Sequence, residues 1–341
     1  MSINKNYHIV EKVYVYFAAT TPAAPLTQAY QCGFFMPEKR TFQKKPQDFQ
    51  QLIERMKSKG LHVSDEAEAE QLLRDVGYYR LSGYGLAFEQ YQNGRRSGRF
   101  KAGARLDDIV NAYHVDRKLR LLILGAVERI EVAVRGIICH QLSLKHNSAH
   151  WFMDARLFRE SENFRHSGLL REIIRSTGKN AEPGSEKESL REVFIHHYYA
   201  TYDSPEYPPS WMVAEVLSIG SWSKVFQHLS ASSDKKLISS QLDLAPLTLE
   251  SWLHCLAFIR NASAHHSRLF ARKLPLPPKR DKKLAIRREN YVFNFICIIW
   301  YFLQQIEPDN TWLDEVTAVV NELTSSHRFL GIPEHGSLSV L

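Results

Sequence analysis

Residues 106–144 read LDDIVNAYHVDRKLRLLILGAVERIEVAVRGIICHQLSL, a run without a proline. Within it Ile109, Tyr113, Leu119, Leu122, Ile123, Val127, Ile130, Val134 and Ile137 recur at three- and four-residue steps. That is the period of one helical face, not the two-residue period of a strand. The spacing predicts one long helix, or two broken near Gly125 or Gly136. An apolar-faced helix of that length belongs in the core of a bundle.

The flanking sequence reads the same way. Asp48–Lys59 sets Phe49, Leu52, Ile53 and Met56 at helix spacing and stops at Gly60. Ser64 can cap a second helix that runs to Val76 before Gly77. Tyr78-Tyr79-Arg80-Leu81-Ser82-Gly83-Tyr84 follows, an aromatic cluster around one arginine. Downstream, Thr177–Ser189 reads as a surface loop. A helix is expected after Pro208-Pro209, with Trp211, Val213, Val216 and Leu217 as its buried stripe, and Ser232-Ser233-Asp234 and Pro246 mark turns. A polar-tipped helix, a proline-rich basic loop over Leu274–Arg288 and two closing helices complete the chain. No strand pair with a hairpin turn and no internal repeat is legible. The fold class expected is all-α, a helical bundle filling one domain over residues 41–330. Residues 1–40 read as a poorly ordered extension, and 331–341 as a tail.

Composition narrows the function. The 341 residues carry a net charge of +7, which suits an anionic partner. Hydrophobic residues at 44% exclude wholesale disorder. Cys32, Cys139, Cys255 and Cys297 show no metal or redox spacing and read as small apolar residues in a reducing cytosol. The most apolar stretch, Tyr291–Leu303, falls short of the roughly 18–20 residues of a membrane span and reads as a core helix. A cytoplasmic protein without membrane contact is expected.

The chemistry concentrates at Phe258-Ile-Arg260-Asn261-Ala262-Ser263-Ala264-His265-His266-Ser-Arg268-Leu-Phe270. One arginine, one asparagine and two histidines stand close together in an otherwise apolar stretch, and buried polar groups need partners. A fixed cation, an amide and a proton-shuttling imidazole are what phosphodiester cleavage uses. At 100° per residue Arg260, Asn261 and His265 share one arc of a helix, and His266 points away from it. A polar helix end is the competing reading, and residue chemistry alone leaves the two even. Zinc is disfavoured, because Cys255 and His265 lie about 15 Å apart along a helix. A second pair at the same spacing, Arg135 and His140, has apolar neighbours and is attributed to chance. The basic residues that follow, among them Arg268, Arg272, Lys273, Lys279 and Arg280, read either as a solvated loop or as a cradle for a polyanion.

Four blocks in order resemble the Abi-like (abortive infection) family, within the HEPN superfamily of helical ribonucleases. They are Gly77–Tyr84, Tyr113–Arg135, Pro209–Gly220 and Arg260–Leu269. The resemblance implies a HEPN-like four-helix core with additional helices, a homodimer that brings two motifs together, and metal-independent, cofactor-free RNA cleavage. In that chemistry the ribose 2′-hydroxyl attacks the adjacent phosphate, leaving cyclic phosphate and 5′-hydroxyl ends. Arg260 and Asn261 match the start of the superfamily motif and His265 its end, with His266 as the alternative end. The implied role is a toxin-like anti-phage effector acting on RNA, with an antitoxin or regulatory RNA as a further partner; the alternative is a non-catalytic RNA-binding or interaction module of the same fold.

Overall fold

The computed structural model describes residues 41–182, 184–284, 286–323, 327–332 and 338. The extension expected over residues 1–40 lies outside them, as does most of the expected tail. Asp48–Leu341 forms one compact unit. Its helices are α1 (Phe49–Ser58), α2 (Glu66–Asp75), α3 (Tyr78–Gly85), α4 (Leu106–Lys145), α5 (His166–Thr177), α6 (Glu186–Ser189), α7 (Val193–Thr201), α8 (Ser210–Val216), α9 (Ile219–His228), α10 (Ser232–Ser240), α11 (Pro246–Ala264), α12 (Val292–Ile306) and α13 (Trp312–Asn321). The all-helical expectation holds.

The stretch 106–144 is one unbroken helix. Gly125 and Gly136 break nothing, and the helix runs to Lys145 over about 60 Å. Its apolar face is buried: Leu119, Ile123, Val127, Ile130 and Ile138 are fully inaccessible. Each contributes roughly 1.5–3 kcal/mol by leaving water. Seven of the other helices pack against this one. α11, α12 and α13 pack along α4, α3 and α8 also lie against it, and α9 and α10 pack on both α4 and α11. α12 is buried on nearly every side, from Val292 to Leu303, as expected of a core helix. Among the described residues no helix is long and apolar enough to cross a membrane.

Local signals explain most boundaries. Asp48 caps α1 by accepting from the Gln51 N–H at 2.8 Å, while the Gln51 side chain accepts from the Asp48 N–H at 3.2 Å. For α2 the cap is Asp65, not Ser64; its carboxylate takes the Glu68 N–H at 3.0 Å. Four further expectations need correction. Glu89–Gln92 (β1) and Arg95–Phe100 (β2) form an antiparallel hairpin around Asn93-Gly94, both at positive φ (52° and 72°). Asn-Gly is the favoured pair for such a turn, but the flanking residues are polar, so no apolar alternation announced the strands. Ser232 opens α10 rather than a turn, and a single helical turn, α6, interrupts the loop expected over 177–189. Trp211 is 54% exposed; Val213 and Leu217 alone of the expected α8 stripe are fully buried.

Away from the motif, His228 on α9 is a buried histidine with a structural role. Its ring stacks on Phe164 at 4.4 Å, its Nδ1 donates to the Lys224 carbonyl at 2.9 Å, and its Nε2 lies 3.1 Å from the Ser161 hydroxyl. Burial pulls its pKa below the usual value, as it does for His254 and His150. Burial thus disfavours the charged imidazole in the folded chain, and below about pH 6.5 the unfolded chain binds more protons. Their stabilisation is present above that pH and lost as pH falls toward the folded-state values. Thermal melts at pH 7.5 and 5.5 are expected to show a lower midpoint in acid, with a smaller drop in His228→Gln. Equal drops in both proteins would contradict this account.

Candidate functional site

α11 is apolar along most of its length, with Leu249, Trp252, Leu253, Leu256 and Ile259 fully buried. Its end is different. Arg260 and Asn261 are exposed, and the helix stops at Ala264. His265 is the C-cap residue; its N–H bonds the Asn261 carbonyl at 2.9 Å. The His266 N–H then bonds the Ser263 carbonyl at 3.1 Å, and the Ser267 N–H bonds the Ala262 carbonyl at 2.8 Å. These two crossed bonds form a Schellman turn, which satisfies carbonyls that the helix end would orphan.

The turn corrects the expectation of a continuous helix through both histidines. His265 stays one turn beyond Asn261, whereas His266 leaves the helix with φ at 57°. That left-handed position normally belongs to glycine, because a side chain there is strained. His266→Gly is expected to raise stability by about 1 kcal/mol, read from urea denaturation. A loss of stability would mean that the imidazole makes contacts this geometry does not account for.

Both imidazoles are exposed, and among the described residues neither makes a side-chain hydrogen bond. The Arg260 Nη1 reaches the Asn261 Oδ1 at 3.4 Å. Glu131 of α4 faces Arg260. Burial pushes the Glu131 carboxyl above its usual range, opposed by the Ile219 N–H and by the charges of Arg260 and Arg135. The Arg260 and Arg135 charges thus favour the Glu131 carboxylate that burial opposes.

A buried polar hub fixes the chain that follows. Asp116 of α4 is completely inaccessible, and its Oδ1 accepts the Leu269 N–H at 3.0 Å and the Phe270 N–H at 2.8 Å. Its Oδ2 accepts from the Tyr84 hydroxyl at 2.7 Å and pairs with Arg120. Arg120 also donates to the Tyr84 oxygen at 3.3 Å. Burial pushes the Asp116 carboxyl up, and Arg120, Tyr84 and the two amides oppose that shift. From α3, Arg80 donates to the His266 carbonyl at 3.0 Å, directly on the strained turn. The Arg268 guanidinium lies over the Tyr84 ring at 6.0 Å and beside Gly83, where a Cβ would sit 3.5 Å from its Nε.

The third block lies on α4 as well. Glu215 pairs with Arg135 at 2.5 Å, and the Ser210 hydroxyl meets Ser143 at 3.1 Å. All four blocks therefore meet around α4 and the end of α11. In the sequence Tyr84, Asp116, Arg120, Glu131 and Arg80 lie within the resembling blocks, but nothing there marks them as parts of the site. They act from as far as 186 positions away, and one sequence carries no signal of such pairing.

The basic residues separate into two groups. Arg268 is half-buried and donates to the Phe270 carbonyl at 2.8 Å, so it braces the turn. Lys273 pairs with Glu289 at 3.1 Å, and Arg272 is half-buried. Lys279 and Arg280 are exposed on a loop tied to α11, where the Trp252 indole N–H donates to the Lys279 carbonyl at 2.9 Å. Arg135 and His140 line an open cavity of about 430 Å³ with Cys139 and Trp211. Among the described residues no three His, Cys, Asp or Glu side chains come together as a metal site would require. Burial pushes the Cys255 thiol up to about 12.

No curated protein and no solved structure matches the chain. The family model for Abi-like protein matches residues 71–271, a span that holds α3, the whole of α4 and the capped end of α11. The chain belongs to the Abi-like protein family.

Proposed function

We propose that this protein is a metal-independent endoribonuclease of the HEPN type, acting as a toxin-like effector of abortive infection. The observation that carries the reading is the end of α11. Arg260, Asn261, His265 and His266 stand exposed on a turn that the first and second blocks hold in place through Arg80 and Asp116. Polar groups gathered at a braced, solvent-facing turn, one of them in a strained conformation, suit a reaction site better than a helix end.

In this reading a histidine takes the proton of the ribose 2′-hydroxyl as that oxygen attacks phosphorus; the bond from phosphorus to the 5′-oxygen breaks, and the departing oxygen receives a proton from an imidazolium or water to become the 5′-hydroxyl. An imidazole can give or take a proton near neutral pH. Arg260 stabilises the charge that develops on the phosphorane, which a planar guanidinium does well. Asn261 orients Arg260, the contact seen between their side chains. Exposed Lys279 and Arg280 contact the RNA backbone, while Arg268 acts through the turn. A homodimer completes the site, because within one chain, among the described residues, no side chain orients either imidazole.

The test is end chemistry on RNA from cells expressing the wild type, Arg260→Ala or His265→Ala. Cyclic phosphate and 5′-hydroxyl ends should appear with the wild type and vanish with both variants. Purified variants that cut RNA as fast as the wild type would sink the proposal.

A further inference from the structure

Beyond residue 271, outside the span matched by the family model, the chain builds a second basic site. An open cavity of about 680 Å³ is lined by Arg280, Arg287, Arg288, Arg328, Tyr291 and Gly331. No residue of the Arg260–His266 turn lines it, and of the residues assigned above to the RNA backbone it shares Arg280 alone. We propose that this cavity binds a nucleotide carrying two or more linked phosphates.

Three observations carry this. The first is construction. Asn294, 1% exposed, accepts the Arg287 N–H at 2.8 Å and donates to the Arg287 carbonyl at 3.1 Å. Asn290 and Leu274 bond each other twice, at 2.7 and 2.8 Å. The backbone carrying Arg287 and Arg288 is thus fixed by buried amides, and the two guanidinium groups are free to face a ligand. Gly331 closes the other wall at φ 82°, where an added Cβ would fall 2.6 Å from the Tyr291 Cβ. That approach admits only glycine.

Second, charge sets the ligand's valence. Among the described residues none of the four guanidinium groups is in an ion pair, and the one lining carboxylate, Glu289, is held by Lys273. A nucleotide within an RNA strand brings a single phosphodiester charge. A terminal phosphate alone carries roughly −1.5 to −2, and linked phosphates add to it. Four arginines, each able to grip phosphate oxygens through two parallel bonds, match the clustered charge.

Third, size and lining set the rest. The volume lies within the ~300–1,000 Å³ of small-ligand sites, far more than one phosphate needs. Tyr291, with Ile286 and Ile332, offers a ring and an apolar wall for a base and sugar. Tyr291 is also the N-cap of α12, whose first amides carry no side-chain cap and add to the positive field.

The ligand can be a free nucleoside polyphosphate or the triphosphate end of an RNA, and the experiment separates them. Calorimetric titration of the full chain would use ATP, tripolyphosphate, AMP, and one single-stranded RNA made with either a 5′-triphosphate or a 5′-hydroxyl. ATP and tripolyphosphate are expected to bind at least tenfold more tightly than AMP. Arg287→Ala/Arg288→Ala should weaken ATP at least tenfold, and Arg260→Ala should leave it unchanged. Preference for triphosphate RNA over ATP would assign the ligand to an RNA end; the reverse would assign it to a free nucleotide. Arg288→Lys, which keeps the charge, guards against loss of fold and should lie between. Equal binding of AMP and ATP, full ATP binding by the double variant, no binding of ATP, or 5′-hydroxyl RNA weakened as much as ATP would each overturn the proposal. The outcome is independent of whether the α11 turn cuts RNA.

Discussion

Replacing His265 with alanine is expected to lower RNA cleavage by about 10²–10⁴-fold, the range of a lost general acid or base. Arg260→Ala is expected to cost roughly 10²–10³-fold, the loss of one charge-stabilising donor. Neither should disturb the fold. Both side chains are exposed, and the one hydrogen bond at stake, between Arg260 and Asn261, is long at 3.4 Å. Melting midpoints should therefore stay within a few degrees of wild type while single-turnover rates collapse. His266 needs a different substitution, because alanine keeps the left-handed strain. His266→Gly removes the imidazole and relaxes the backbone together. Cleavage lost in a stabilised His266→Gly protein would assign that histidine to the chemistry, and cleavage retained would leave His265 as its sole imidazole. Mixing Arg260→Ala protomers with His265→Ala protomers tests the dimer: recovered activity requires a site built by two chains. If every variant cleaves like wild type, the nuclease reading fails.

Asp116→Ala is expected to be the most damaging single change to stability, at about 3–5 kcal/mol. Four donors converge on that carboxylate, and the substitution strands all of them. Arg120, 4% exposed, would keep a buried charge without its partner, and the Leu269 and Phe270 amides would lose their acceptor. The midpoint of thermal unfolding should fall by about 10 °C. A double variant, Asp116→Leu with Arg120→Met, should cost less than the two single changes added together, because it removes the charge as well as the acceptor. A midpoint within two degrees of wild type for Asp116→Ala would refute the hub. Cleavage by any residual folded Asp116→Ala should also drop, since the turn carrying both histidines loses its anchor.

The helical architecture was legible because its signals are local. Helical periodicity in 106–144 and the glycine stops at Gly60 and Gly77 act within a few residues. The β1–β2 hairpin escaped because its strands are polar, leaving Asn93-Gly94 as the only sign. Trp211 was misplaced for a related reason: spacing says which residues share a face, not how far the covering helix extends. The polar residues of the motif were visible in sequence, since polar density in an apolar helix stands out. Their setting was not. Asp116 reads like any acidic residue on a helix, and only the folded chain brings it to Leu269 and Phe270, 153 and 154 positions away.

The stretch Ser267–Ala271 has neither helix nor strand, yet its ends and middle are tied. Asp116 takes two of its amides, Arg268 reaches its carbonyls, and the Ala271 N–H bonds the Phe329 carbonyl at 2.9 Å. Fixing such a chain costs about 1–2 kcal/mol of conformational entropy per residue. The hub meets that cost during folding. If the proposed nuclease function holds, an RNA arriving at the turn finds the loop beneath the histidines already ordered, and its affinity is not reduced by loop immobilisation. Irregular backbone here is not loose backbone.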